Sequence, residues 1–150
     1  LRVLDRLSDQ PVADVREFIG RMVAFILMGN TDAHLKNWAL VYPDGRTPRL
    51  APLYDPVCVA AFFDGTPPWQ YAVNRAIDTT LRAFGWAELE ALLQSAGLMR
   101  VPRYLAWARE AAAQAQQQWP ALLEQHAPPS MRAVVLERVQ GGVALARPAG

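Results

Sequence analysis

Lysine is almost missing from this chain: fourteen of its fifteen basic residues are arginine, and the one lysine is Lys36. The formal net charge is only +1 and the arginines are scattered. That excludes the sustained positive field that a dedicated nucleic-acid or membrane-surface binder needs. Cysteine occurs once, as Cys58, so no internal disulfide can form, and the count fits a reducing cytoplasm. With just two histidines, His34 and His126, no pair stands at zinc-ligand spacing. The nine glycines are dispersed and never fall as Gly-x-Gly-x-x-Gly, so a glycine-rich phosphate loop is absent from this stretch of sequence. Apolar runs such as Met22 to Met28 stop far short of the roughly 18 to 20 residues that cross a bilayer, and no charged leader precedes an apolar core at the start.

What is present is enough for one globular domain with a core, since 52% of the 150 residues are hydrophobic. The opening Leu1-Arg2-Val3-Leu4 reads as the interior of a longer chain. Ser8 and Pro11 predict the start of a helix with Val15, Phe18, Ile19, Met22, Val23 and Ile26 on its apolar face, Asp14, Arg16 and Glu17 on the charged side, and Gly29-Asn30 at its end. Glu17 and Arg21 stand four apart in the favourable order. Trp38–Tyr42 and Arg49–Ala51 predict a small hairpin around Pro43-Asp44-Gly45. Extended or turning chain follows over Pro52–Val57, then a loop at Gly65–Pro68 and a short strand at Gln70–Val73. From Thr79 the pattern turns helical: Trp86–Ala96 closed by Gly97, Pro102–Gln118 bounded by Pro120, and Ser130–Gln140 closed by Gly141-Gly142. Residues 1–146 therefore read as one lobe and 147–150 as a frayed tail. The predicted class is mainly α, an α+β lobe whose small hairpin adjoins its most polar segment.

That segment is Gly29-Asn30-Thr31-Asp32-Ala33-His34-Leu35-Lys36-Asn37, between a helix end and a strand, with Leu53-Tyr54-Asp55 beyond the hairpin. Phosphoryl transfer needs a carboxylate to orient the acceptor hydroxyl and oxygen ligands that hold magnesium against phosphates. In protein kinases an aspartate is followed five residues later by a metal-binding asparagine, and a second metal-binding aspartate stands after the next hairpin. Asp32, Asn37 and Asp55 reproduce that order. Taken alone, each reads as an ordinary turn residue; the order and spacing of all three carry the signal.

Gly-Asn-Thr-Asp-Ala-His-Leu-Lys-Asn followed by Leu-Ala-Pro-Leu-Tyr-Asp resembles the HipA-like serine/threonine kinases, closely over residues 29–55. The resemblance extends to most of the chain as that family's C-terminal lobe. It implies that Asp32 is the catalytic aspartate, with His34 steadying the loop and Lys36 facing phosphate, and that Asn37 and Asp55 bind Mg2+ for an ATP substrate. It also implies a protein serine or threonine as acceptor, a DNA-binding antitoxin as partner, and an N-terminal kinase lobe without which the chain is inactive. Pro56 departs from the hydrophobic residue usual after the metal-binding aspartate, and is expected to hold Asp55 extended. Two alternatives stay open: a small-molecule or lipid kinase lobe, because the same residue order serves those enzymes, and a non-catalytic pseudokinase module. Cys58, between Val57 and Val59, reads as a small buried hydrophobe, and the five tryptophans as core.

Overall fold

A computed structural model describes residues 1–33, 35–62, 72–74 and 77–147. Two helices open it, α1 (Arg2–Leu7) and α2 (Pro11–Met28). A 3-10 turn at Leu35–Asn37 leads into β1 (Leu40–Val41) and β2 (Arg49–Leu50), and another 3-10 turn covers Val59–Ala61. A second pair, β3 (Ala72–Asn74) and β4 (Ile77–Thr80), precedes α3 (Trp86–Ser95), α4 (Val101–His126) and α5 (Pro129–Glu137). A π-helical turn at Arg138–Gly142 and a 3-10 turn at Ala144–Ala146 close the described chain. The fold is mainly helical, as the periodicity predicts.

The centre is α2 against α4. On α2 the buried positions Val15, Ile19, Met22, Val23, Ile26 and Leu27 form one stripe, and the buried face of α4 is Tyr104, Leu105, Ala108, Ala112 and Ala115. The alanines let the two backbones approach closely, because ridges of small side chains leave shallow grooves. Leu89 and Leu93 of α3 and Val135 of α5 join the same cluster, together with Val139, Val143 and Leu145 from the final segment. Trp86, Trp107 and Trp119 pack on its rim, half-buried.

Gly29 ends α2 at φ 78°, a left-handed conformation that suits glycine. Its amide and that of Asn30 donate back to the carbonyls of Ile26 and Phe25, closing a Schellman turn. The first hairpin is antiparallel, Leu40 opposite Leu50 and Val41 opposite Arg49, with shorter strands than predicted. Its turn is held by Asp44, whose carboxylate accepts from the amides of Thr47 and Arg46 and the Thr47 hydroxyl; these bonds lower its pKa to about 2.

Several sequence expectations need correction. Asp14, assigned to the charged outer side of α2, is only 4% exposed. Arg49 of β2 forms a bidentate ion pair with it, the amide of Leu50 donates to it, and so does the Ser8 hydroxyl. Ser8 thus serves this buried carboxylate, and Gln10 takes the position before Pro11 without a side-chain cap. Thr79 lies in β4, so the helical half begins at Trp86, and β3–β4 adds a hairpin that the sequence reading did not include. Pro120 does not end α4, which runs on to His126. A proline inside a helix costs one backbone hydrogen bond but keeps a helical φ, and Trp119 and Leu123 on either side both pack against the core. Of the strand expected at Gln70–Val73, Ala72 and Val73 lie in β3; Gln70, the Gly65–Pro68 loop and residues 148–150 lie outside the described residues.

Candidate active site

The polar segment begins where α2 stops. Asn30 is buried, and its side-chain oxygen accepts the amide of Asp32 at 3.0 Å, a local turn that bends the chain out of the helix axis. Five residues on, the Asn37 side-chain amide donates to the carbonyl of Asp32 at 2.7 Å. The loop is thereby closed across the two positions that the spacing singled out. The side-chain nitrogen of Asn37 is engaged in this bond.

Trp38 anchors the far end of the loop. Its ring stands 4.1 Å from that of Phe18 and 5.5 Å from that of Phe25, both on α2, and its indole N–H points at the Ala33 carbonyl at 3.4 Å. Burying so large a side chain against the helix that starts the segment makes the loop short and two-ended. Asp32 and Lys36 remain exposed and Asn37 is half-buried.

The second arm arrives through the hairpin, which is tied to α2 by the Asp14–Arg49 pair and by Arg21, whose guanidinium donates to the carbonyl of Ala51 at 2.8 Å while paired with Glu17. Beyond it, the Tyr54 hydroxyl donates to the carbonyl of Lys36 at 2.7 Å. The residue before Asp55 is thus bound to the residue before Asn37. Downstream, the Cys58 thiol donates to the Met28 carbonyl and the amide of Ala60 to that of Gly29. Asp55 is suspended between two points that both grip the first arm. Cys58 is 2% exposed, and burial pushes its thiol pKa up, as expected of a small core residue rather than a nucleophile.

Asp55 differs from expectation. Its φ is 52°, so it is not extended before Pro56 but left-handed, the one non-glycine residue at positive φ among those described. Such a conformation is costly for an L-residue, and persists where surrounding contacts over-determine it. Here the Tyr54 bond on one side and the Cys58 and Ala60 bonds on the other supply those contacts. The carboxylate itself is exposed.

The structure therefore brings the backbone around Asp32, Lys36, Asn37 and Asp55 into one hydrogen-bonded unit. His34 lies outside the described residues. No group of three or more His, Cys, Asp or Glu side chains gathers among the described residues. Two carboxylates and an amide oxygen are hard donors of the kind Mg2+ takes when phosphates and water complete its shell. Sequence reasoning passed over Tyr54, Asn30 and Trp38 as parts of the site, although each lies inside the recognised stretch. Their roles depend on contacts with backbone carbonyls and aromatic neighbours that residue spacing does not encode.

Comparison with known proteins points to a family. Residues 1–119 match the model of the HipA-like C-terminal domain. Over 53 residues, 35% of this chain, it is 55% identical to "Putative kinase Y4dM" of Sinorhizobium fredii. Over 85 residues, 56% of the chain, it is 32% identical to "Putative kinase Y4mE" of the same organism, and over 55 residues, 37% of the chain, it is 38% identical to a "Putative kinase" of Haemophilus influenzae. These matches cover 13%, 20% and 16% of those proteins, so the chain corresponds to a minor part of each. No solved structure gives a significant match.

Proposed function

Because the chain belongs to the HipA-like C-terminal domain family, we propose that it is the catalytic lobe of a kinase that transfers the γ-phosphoryl group of ATP to a protein serine or threonine. The observation that carries this reading is the pair of bonds Asn37 to Asp32 and Tyr54 to Lys36. They close the Asp32–Asn37 loop and tie it to the residue before Asp55, which supports reading the three residues, in kinase order, as one site.

In this reading Asp32 accepts a hydrogen bond from the acceptor hydroxyl, orients its oxygen toward the γ-phosphorus and takes its proton as the bond to phosphorus forms. The β–γ bridging oxygen leaves with ADP. Asn37 and Asp55 would hold Mg2+, which when bound offsets charge on the phosphate oxygens. The carboxamide bond to Asp32 keeps metal ligand and base at a set separation, and positioning of that kind is the main contribution a protein makes to this reaction. Exposed Lys36 adds a cation beside the phosphates, and His34 takes the loop-steadying role that the family resemblance implies. The remainder of a longer chain would supply the lobe that covers the nucleotide, and a DNA-binding antitoxin in the same cytoplasm would be the regulatory partner. No helix among the described residues is long and apolar enough to cross a membrane.

The test is phosphorylation with radiolabelled ATP by a full-length chain containing these residues, offered protein acceptors and small alcohols side by side. We expect label on protein serine or threonine, and its loss in Asp32→Ala and Asp55→Ala with circular dichroism unchanged. Label on the alcohols alone would instead indicate a small-molecule kinase. Undiminished turnover in either variant removes that residue from the site.

A further inference from the structure

Beyond residue 119, where the family match ends, one side chain reaches back to the base of the site. Arg138 opens the π-helical turn after α5 and is 1% exposed. Its Nη2 donates to the Ile26 carbonyl at 2.7 Å, in the last turn of α2. Its guanidinium lies against Gly29: a Cβ built on that glycine would come within 3.1 Å of Nε and 2.6 Å of the Ala60 Cβ. Gly29 is thus enclosed between Arg138 and the segment that leads back to Asp55.

No carboxylate among the described residues is paired with Arg138; Glu137, next to it, is engaged by Arg82. The Nε of Arg138 and the side-chain Nδ2 of Asn30 are buried with no hydrogen-bond acceptor among the described residues. Burial, with a smaller contribution from Arg82, lowers the guanidinium pKa to about 10, still charged at neutral pH. A buried cation of this kind is a poor source of stability, and an apolar side chain of similar volume is often as good or better. What only a cation with a long reach can do here is neutralise the negative end of α2 while holding the Ile26 carbonyl from outside the helix.

That carbonyl also accepts the Gly29 amide in the Schellman turn. From the turn hang both arms of the site, Asn30 gripping Asp32 and the Met28 and Gly29 carbonyls gripping Cys58 and Ala60. The geometry points to Arg138 as a positioning residue for phosphoryl transfer, a cationic buttress under Gly29 that sets the Asp32 arm against the Asp55 arm. This rests on the kinase reading above, and extends the site to a segment outside the matched family region.

The experiment compares Arg138→Met, Arg138→Lys and Asp32→Ala in the full-length chain, by kcat and KM for magnesium ATP, thermal melting and amide hydrogen exchange. For Arg138→Met we expect melting equal to or above the parent, yet exchange faster by about tenfold at Asn30, Asp32 and Ala60 and unchanged in the middle of α4. Its kcat should fall by about tenfold or more. Arg138→Lys, which keeps a cation at the helix end, should recover part of both losses. If Arg138→Met does not fold, Arg138→Gln, neutral but able to donate, takes its place with the same loop-confined exchange expected. Parental exchange at those three amides in the neutral variant overturns the inference, as does kcat within about twofold of the parent. Activity retained by Asp32→Ala would sink the kinase reading instead, and the exchange result is independent of it.

Discussion

At the scale of single residues, Asn37 is tied into its loop through its side-chain nitrogen, which donates to the Asp32 carbonyl, and in the proposed reading its oxygen binds the metal. Asn37→Ala in a full-length chain should therefore lower activity and shift the magnesium dependence upward, with partial recovery as magnesium is raised, because one oxygen ligand is gone while Asp55 remains. Coincident magnesium titrations of variant and parent would take Asn37 out of the metal shell. That Asp32, Asn37 and Asp55 follow the order and spacing of a kinase site was legible in the sequence alone. The backbone of Asp55 was not: the preference of a pre-proline residue for extended chain is local, and bonds from Tyr54, Cys58 and Ala60 to a distant loop and helix end override it.

At the scale of elements, α2 organises the lobe by carrying one buried charge near its start and the loop at its end. Asp14 was misread because a helical wheel assigns acidic residues to solvent unless a partner is known, and its partner, Arg49, is 35 residues away. Burial pushes the Asp14 carboxyl up, but the bonds from Arg49, Ser8 and Leu50 together outweigh it and hold the pKa below its ordinary 3.8. A depressed carboxylate pKa means that the pair's contribution is fully present above about pH 4 and fades as pH falls through the lower folded-state value. Asp14→Asn should cost about 2–4 kcal/mol at neutral pH by leaving Arg49 without its counter-charge. Its melting temperature should also fall less steeply than the parent's below pH 4; parallel acid profiles would show that Asp14 does not titrate with folding.

Helix α4 poses the opposite problem, a breaker that does not break. Pro120 removes the amide that would bond to the Gln116 carbonyl, while core contacts of Trp119 and Leu123 continue the helix. Pro120→Ala should then raise stability by about 1–2 kcal/mol, the restored helical bond exceeding the entropy regained by the unfolded chain. A lowered midpoint in urea would mean that the proline fits a bend the helix needs.

At the scale of the whole molecule, the lobe has a core of its own and, in the proposed kinase reading, part of a nucleotide site. Its final segment completes that core: the Gln116 side chain donates to the carbonyls of Val139 and Ala146, and Ala144 bonds to Arg82. The 150 residues should fold and melt cooperatively. With a single lysine and no Gly-x-Gly-x-x-Gly, however, they offer a triphosphate little preorganised positive charge. Calorimetric titration of this chain with magnesium ATP should show little heat and no phosphorylation should follow, both appearing once the remaining lobe is supplied in cis or in trans. Robust turnover by the 150 residues alone would contradict the two-lobe reading.

The sequence by itself determined the main helices, the first hairpin and the order of the polar residues between them, because periodicity and spacing are properties of neighbours along the chain. Only the tertiary structure decided that Asp14 is buried, that Pro120 lies within a helix, that Asp55 is left-handed, and that Arg138 sits beneath Gly29. Each of these depends on a partner far away in sequence, such as Arg138 at 112 residues from Ile26. A local pattern holds no information about such a partner until the chain has packed.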